Sequence, residues 1–162
     1  MLKKVVESNQ AIFDDRFGQT SLHQVVTFTV LHDAKTKLNP LGLCGKVYKT
    51  SDVIKQAVID DFSKMPDFVI VINEDVFDRL DYNSQNLVAD KLFAQMGFDF
   101  EKDQTKLIAP DVQEFSGILK KYNFNDMEAL KLSVDLIYQQ LEVNEEKKKK
   151  KGRKKLTSGD SN

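Results

Sequence analysis

The sequence predicts an α+β fold, a short β-sheet packed against several helices. Three observations carry that reading. The runs HQVVTFTVLH (23–32) and DFVIVIN (67–73) have the β-branched and aromatic content of strands. Elsewhere, apolar residues recur at spacings of three and four, the helical period. With 41% apolar residues and eleven Phe, the 162 residues suffice for one core of ordinary size.

From the N-terminus, KKVVESNQAIFDDRF (3–17) predicts a helix with Val5, Ile12 and Phe13 inward, ended by Gly18. The strand 23–32 follows, then a turn at NPLG (39–42), where Pro and Gly fix the backbone, and a short strand CGKVYK (44–49). Ser51 can cap a helix to Phe62 that turns Val53, Ile54, Ala57 and Val58 to one side. After Pro66, the uninterrupted apolar run of 67–73 reads as a central strand covered on both faces. EDVFDRL gives a short helix, and Asn83 or Ser84 starts an amphipathic one with Val88, Leu92 and Met96 in line, Ala89 and Phe93 beside them, and Gly97 as its stop.

DFEKDQTK (99–106) reads as a polar connection. Asp111 with Glu114, and Asn125 with Glu128, have capping-box spacing. The first box precedes Phe115, Ile118 and Leu119. The second opens a helix over 126–146 whose core stripe is Met127, Leu130, Val134, Ile137 and Leu141. The organisation is therefore an N-terminal helical segment (1–22), an α+β domain (23–146) and a Lys-rich tail (147–162), expected to be disordered because a block of like charge cannot offset its ordering entropy.

Charge is separated along the chain. Residues 1–146 hold 16 Lys and Arg against 24 Asp and Glu, a net of −8, whereas the tail holds eight cations against Asp160 alone, a net of +7. No stretch approaches the roughly 18 apolar residues of a membrane span, and MLKKVVESNQ lacks the apolar core of a secretory signal. The single cysteine, Cys44, has no base near it in sequence and is expected to be an inert, partly buried thiol, in keeping with a reducing cytoplasm.

Chemistry-bearing motifs are few. There is no G-x-x-x-x-G-K-[ST], G-x-G-x-x-G or G-x-S-x-G. Asp14–Asp15 and Asp60–Asp61 are adjacent pairs whose side chains diverge by about 100° on a helix, so neither forms a convergent dyad. His23 and His32, at the ends of one expected strand, would stand about 30 Å apart on opposite faces. Asp99, Glu101 and Asp103 match the first offsets of a calcium loop, but Gln104 and Pro110 stand where it needs glycine and a bidentate acid.

GKVYKTSD (45–52), DFVIVINEDVFDRL (67–80), the helix 84–96 and PDVQEFSGILKKYNF (110–124), in that order, resemble the phage metallopeptidases, small zincin-like proteins of tailed phages. The resemblance covers residues 24–124 and implies a zincin-like α+β domain. It also implies an H-E-x-x-H motif on the 84–96 helix and a further His before the D-x-x-E-F segment. Two His one turn apart hold zinc, and the Glu between activates its water. Here the corresponding positions are Lys91, Leu92, Gln95 and Pro110. The expectation is a pseudoenzyme with no catalytic residue, metal or other cofactor, in which Lys91 and Gln95 look outward from a helix retained for packing.

Two functions remain open for such a chain. One is binding a host or phage protein, with the acidic body favouring a basic partner, in the bacterial cytoplasm if the chain is phage-encoded; an acidic surface can equally serve solubility alone. The other is DNA or RNA association, blind to sequence, through Lys147, Lys148, Lys149, Lys150, Lys151, Arg153, Lys154 and Lys155, as in a phage transcription modulator. A tail folded back on the acidic body would leave no cations free for nucleic acid. No membrane partner is expected.

Overall fold

The computed structural model describes residues 3–4, 7–37, 43–51, 65–109 and 116–157. In chain order the elements are β1 (Lys3–Lys4), α1 (Glu7–Gly18), β2 (Phe28–His32), β3 (Gly45–Lys49), β4 (Phe68–Ile72), α2 (Glu74–Phe77), α3 (Tyr82–Ala94), β5 (Met96–Asp99), β6 (Gln104–Leu107), α4 (Ser116–Lys121) and α5 (Phe124–Thr157). The result is the expected α+β domain. Its main sheet has the order β1-β2-β4-β3, with β2 and β4 parallel and the other pairs antiparallel. β4 is central, and four of its five residues are buried, as its uninterrupted apolar run predicts.

Five phenylalanines fill the space between the sheet and the helices. Phe13 stacks on Phe77 at 5.4 Å, while Phe93 meets Phe13, Phe17 and Phe28 at 5.1–6.0 Å. Helix α1 thus supplies Phe13 and Phe17 to the same core as α3 and β2. Asn73, buried at the end of β4, caps α2 by accepting from Val76 N, and its Nδ2 donates to the carbonyls of Ala34 and Thr36. Tyr138 Oη donates to the same Thr36 carbonyl at 2.7 Å, which ties α5 to that loop.

Helix α3 lies on the sheet where β3 begins. A Cβ on Gly45 would stand 2.9 Å from Ile72 Cγ2, 3.2 Å from Val71 O and 3.3 Å from Leu92 Cδ1. Glycine here is what lets the helix approach the strand pair. On its outer side, α3 is held by one carboxylate. Asp90 accepts from Arg16 Nε at 2.8 Å and from Arg16 Nη2, from Lys121 Nζ at 2.7 Å and from Tyr122 Oη at 2.5 Å. Its side chain is 10% exposed and that of Arg16 13%. Burial alone would raise the Asp90 carboxyl; the hydrogen bonds from Arg16, Lys121 and Tyr122 outweigh it and hold the group below the usual carboxylate range. Burial, and then the bond to Asp90, push the Tyr122 phenol upward.

Several boundaries differ from expectation. β2 is shorter than 23–32 because the chain turns locally first: Val25 N and Val26 N both donate to Leu22 O, and His23 Nδ1 lies 2.7 Å from Thr20 O. β1 pairs with β2 ahead of α1 instead of forming its first turn. α3 is capped by Asp81, whose Oδ1 accepts from Ser84 N, rather than by Asn83 or Ser84, and it ends before Gly97. Gly97 lies in β5, where a Cβ would meet Ile108 Cδ1 at 2.7 Å. The expected polar connection is a hairpin, β5 with β6, turned through Asp103 at φ 49°. α5 opens with Asn123 accepting from Asp126 N, two residues ahead of the expected Asn125 box.

The helical backbone of α5 also runs past residue 146 through the lysine block to Thr157. Lys and Glu are good helix formers, Glu145–Lys149 and Glu146–Lys150 are favourable i,i+4 pairs, and cations suit a helix C-terminus. Local propensity thus opposes the like-charge repulsion. The expected helix 51–62, the turn 39–42, Val5 and the 111–114 box lie outside the described residues.

Two outcomes follow. Gly45→Ala should destabilise the domain by about 1–3 kcal/mol, read as a lower urea midpoint at unchanged slope. Asp90→Asn should cost about 3 kcal/mol at neutral pH, since it leaves Arg16 without its counter-charge. The native Asp90 pKa lies below the unfolded value of about 3.9, so its contribution is full above that pH and lost as pH falls through the native value. Wild-type stability should therefore fall more steeply than that of the variant below about pH 4, and equal acid limbs would contradict the assignment.

Candidate metal position on helix α3

The positions that the resemblance assigns to a zinc motif sit in the last turn of α3 and at its end. Leu87, Val88, Ala89, Lys91, Leu92 and Phe93 are all buried, so six residues of a 13-residue helix are withdrawn from water. Lys91 is 0% exposed and among the largest fully buried side chains of the protein. The expectation that it looks outward is overturned: the side chain is wholly withdrawn from water. Leu92 is equally buried and reaches toward Gly45 between β3 and β4.

Gln95 is half-buried and is the C-cap of α3 rather than an interior helical residue. Its Nε2 donates to Lys91 O at 3.2 Å, and its own carbonyl accepts from Ile108 N at 2.8 Å. The side chain is thus engaged in closing the helix and the backbone in anchoring the residue that follows β6. Pro110 lies outside the described residues. Together, Lys91, Leu92 and Gln95 offer zinc one amide oxygen, an ammonium and an alkyl group. Zinc takes thiolates, imidazoles and carboxylates, so these three side chains do not fit it.

Among the described residues, no cluster of three or more His, Cys, Asp or Glu could hold a metal ion. His32 Nδ1 accepts from Glu74 N at 3.0 Å and lies 3.8 Å from Glu74 Oε2, while His23 belongs to the turn before β2. Asp99 Oδ1 accepts from Glu101 N and Lys102 N, which makes the acidic run a hairpin turn. Cys44 is fully buried rather than partly so, and burial raises its thiol to about 12. It stays protonated and unreactive near neutral pH.

The sequence reading missed the cleft beside Asp90. It has a volume of 520 Å³ and is lined by Arg16, Asp81, Asn83, Leu87, Lys121 and Tyr122 among others. Its cations are already committed to Asp90, and that carboxylate, accepting from three side chains and held ionised, is a poor general base. No local signal could have marked this group, because its partners stand 74, 31 and 32 residues from Asp90. Of the tail cations, Lys147, Lys148, Lys149 and Lys150 are exposed on α5, and Lys151, Arg153, Lys154 and Lys155 continue its helical backbone. They are not brought near Lys91 by any described contact.

Among the described residues no helix is long and apolar enough to cross a membrane. No curated protein and no solved structure shows significant similarity to the chain. The sequence profile of the family described as "putative phage metallopeptidase" does match, over residues 28–142, which takes in β2, β3 and β4 of the sheet, α3, the hairpin and the first half of α5. With most of its length so matched, the chain belongs to the phage metallopeptidase family.

Proposed function

We propose that this chain is a non-catalytic member of its family and acts by binding another protein, of the phage or of its host. The observation that supports the reading is the complete burial of Lys91 beside an equally buried Leu92. A metal-activated water needs an open coordination position and a base within hydrogen-bond reach. Here an aliphatic side chain and a lysine stem occupy the corresponding positions, and Gln95 is spent on the helix end. The absence of a zinc ligand set on α3 leaves surfaces as the working parts.

The charge of the body indicates the partner's chemistry. A net of −8 over residues 1–146 attracts a basic protein surface and speeds encounter with it. Such attraction is screened over about 8–10 Å at ordinary salt. A partner captured from host lysate at low ionic strength should therefore elute as salt is raised.

Elemental analysis tests the catalytic half of the proposal. Protein purified without chelators, then incubated with excess zinc and desalted, should retain far less than one equivalent and should cleave no member of a peptide library. Stoichiometric retained zinc, or cleavage lost in Gln95→Ala, would overturn the non-catalytic reading.

A further inference from the structure

The C-terminal end of α5 is the most concentrated charge in the protein. Eight of the nine residues 147–155 are cationic, and the family match stops at residue 142. Leu141 is the last residue of α5 packed on the core, and every residue from Glu142 to Lys150 is exposed. From there the helix continues without interruption to Thr157, which at 1.5 Å per residue carries the basic end roughly 24 Å onward. A continuous helix cannot double back, so through Thr157 this segment does not fold onto the acidic body.

Helical geometry also sorts the cations. At about 100° per residue, positions 147, 148, 150, 151, 154 and 155 fall within an arc of roughly 160°. Positions 149 and 153 share the remainder with Gly152 and Leu156. One side of the helix therefore collects six of the eight cations.

We infer that this end of α5 is a preformed basic helix that binds duplex nucleic acid through its phosphates, without reading base sequence. The inference goes beyond the non-catalytic reading and uses different residues, so either can fail alone. A duplex presents one negative charge per about 1.7 Å of axis, and its major groove, about 12 Å wide, admits an α-helix. Residues 147–155 contain no aromatic side chain for stacking on single-stranded bases, which favours a duplex held through its phosphates. They also contain no large apolar residue to lie in an acyl boundary, which disfavours a lipid surface. The net −8 of residues 1–146 repels phosphate and confines the contact to the helix end.

Fluorescence anisotropy with a labelled random duplex tests this on the full chain. Binding should weaken with salt at a log–log slope as steep as about −5, for up to six phosphates engaged. The triple variant Lys147→Gln, Lys150→Gln, Lys154→Gln should lose about half of that slope and bind more than about tenfold more weakly at low salt. Its thermal midpoint should be unchanged, since Lys147 and Lys150 are exposed and no described contact joins position 154 to the core. Gly152→Pro keeps every cation but interrupts the helix, and should bind several-fold more weakly than wild type. Unaltered binding by the triple variant, or a slope near zero, would overturn the inference. So would phosphatidylserine vesicles bound as tightly as the duplex. Equal binding by Gly152→Pro would overturn the helical presentation.

Discussion

One buried carboxylate organises the helical layer. Asp90 sits on α3, and its donors come from α1, from the end of α4 and from the residue after it. Because the group is nearly withdrawn from water, its charge is stabilised only by those donors, and each donor in turn is fixed by the carboxylate. Arg16 supplies two parallel N–H bonds, the arrangement that holds both distance and orientation. The consequence is that the outer side of α3 is clamped while its inner side rests on the sheet at Gly45. Both restraints act on the turn of α3 that carries Lys91 and Leu92.

That clamp has a bearing on the family frame. The profile match begins at residue 28, so Arg16 and the whole of α1 lie outside it. Yet Phe13 and Phe17 belong to the common core, and Arg16 neutralises a residue inside the matched segment. The N-terminal helix is therefore structurally integral to this chain. Asp90 immediately precedes Lys91, so the residue following the clamp is the one whose charged side chain is fully buried. A charged hub and a buried lysine on consecutive residues point to different sides of one helix, which the roughly 100° step between neighbours allows.

How much of this was legible in the sequence depended on the range of the interaction. β4 announced itself through FVIVI, and β3, α2 and the core stripe of α5 through local period and composition. The hairpin did not, because QTKL has no alternation and a single apolar residue, Leu107, and the close approach of Ile108 to Gly97 is a contact between its two strands' ends. Lys91 was read as outward because lysine is usually solvated. Its burial is imposed by tertiary packing, which leaves no local trace. The Asp90 group, spread over residues 16 to 122, was invisible for the same reason.

The lysine-rich end shows two physical arguments in competition. A block of like charges disfavours order, and cations four apart, such as 147 with 151, 150 with 154 and 151 with 155, each cost a few tenths of a kcal/mol in an isolated helix. Against that stand good intrinsic propensity, the helix dipole and the Glu145–Lys149 and Glu146–Lys150 pairs. The helix also does not have to nucleate there: it is propagated from a segment already packed on the core, so the costly first turn has been made elsewhere. Neutralising the cations from outside would remove the opposing term and leave the favourable ones. An anionic partner would thus stabilise the same helix that presents the charges, and binding and helix formation would reinforce one another.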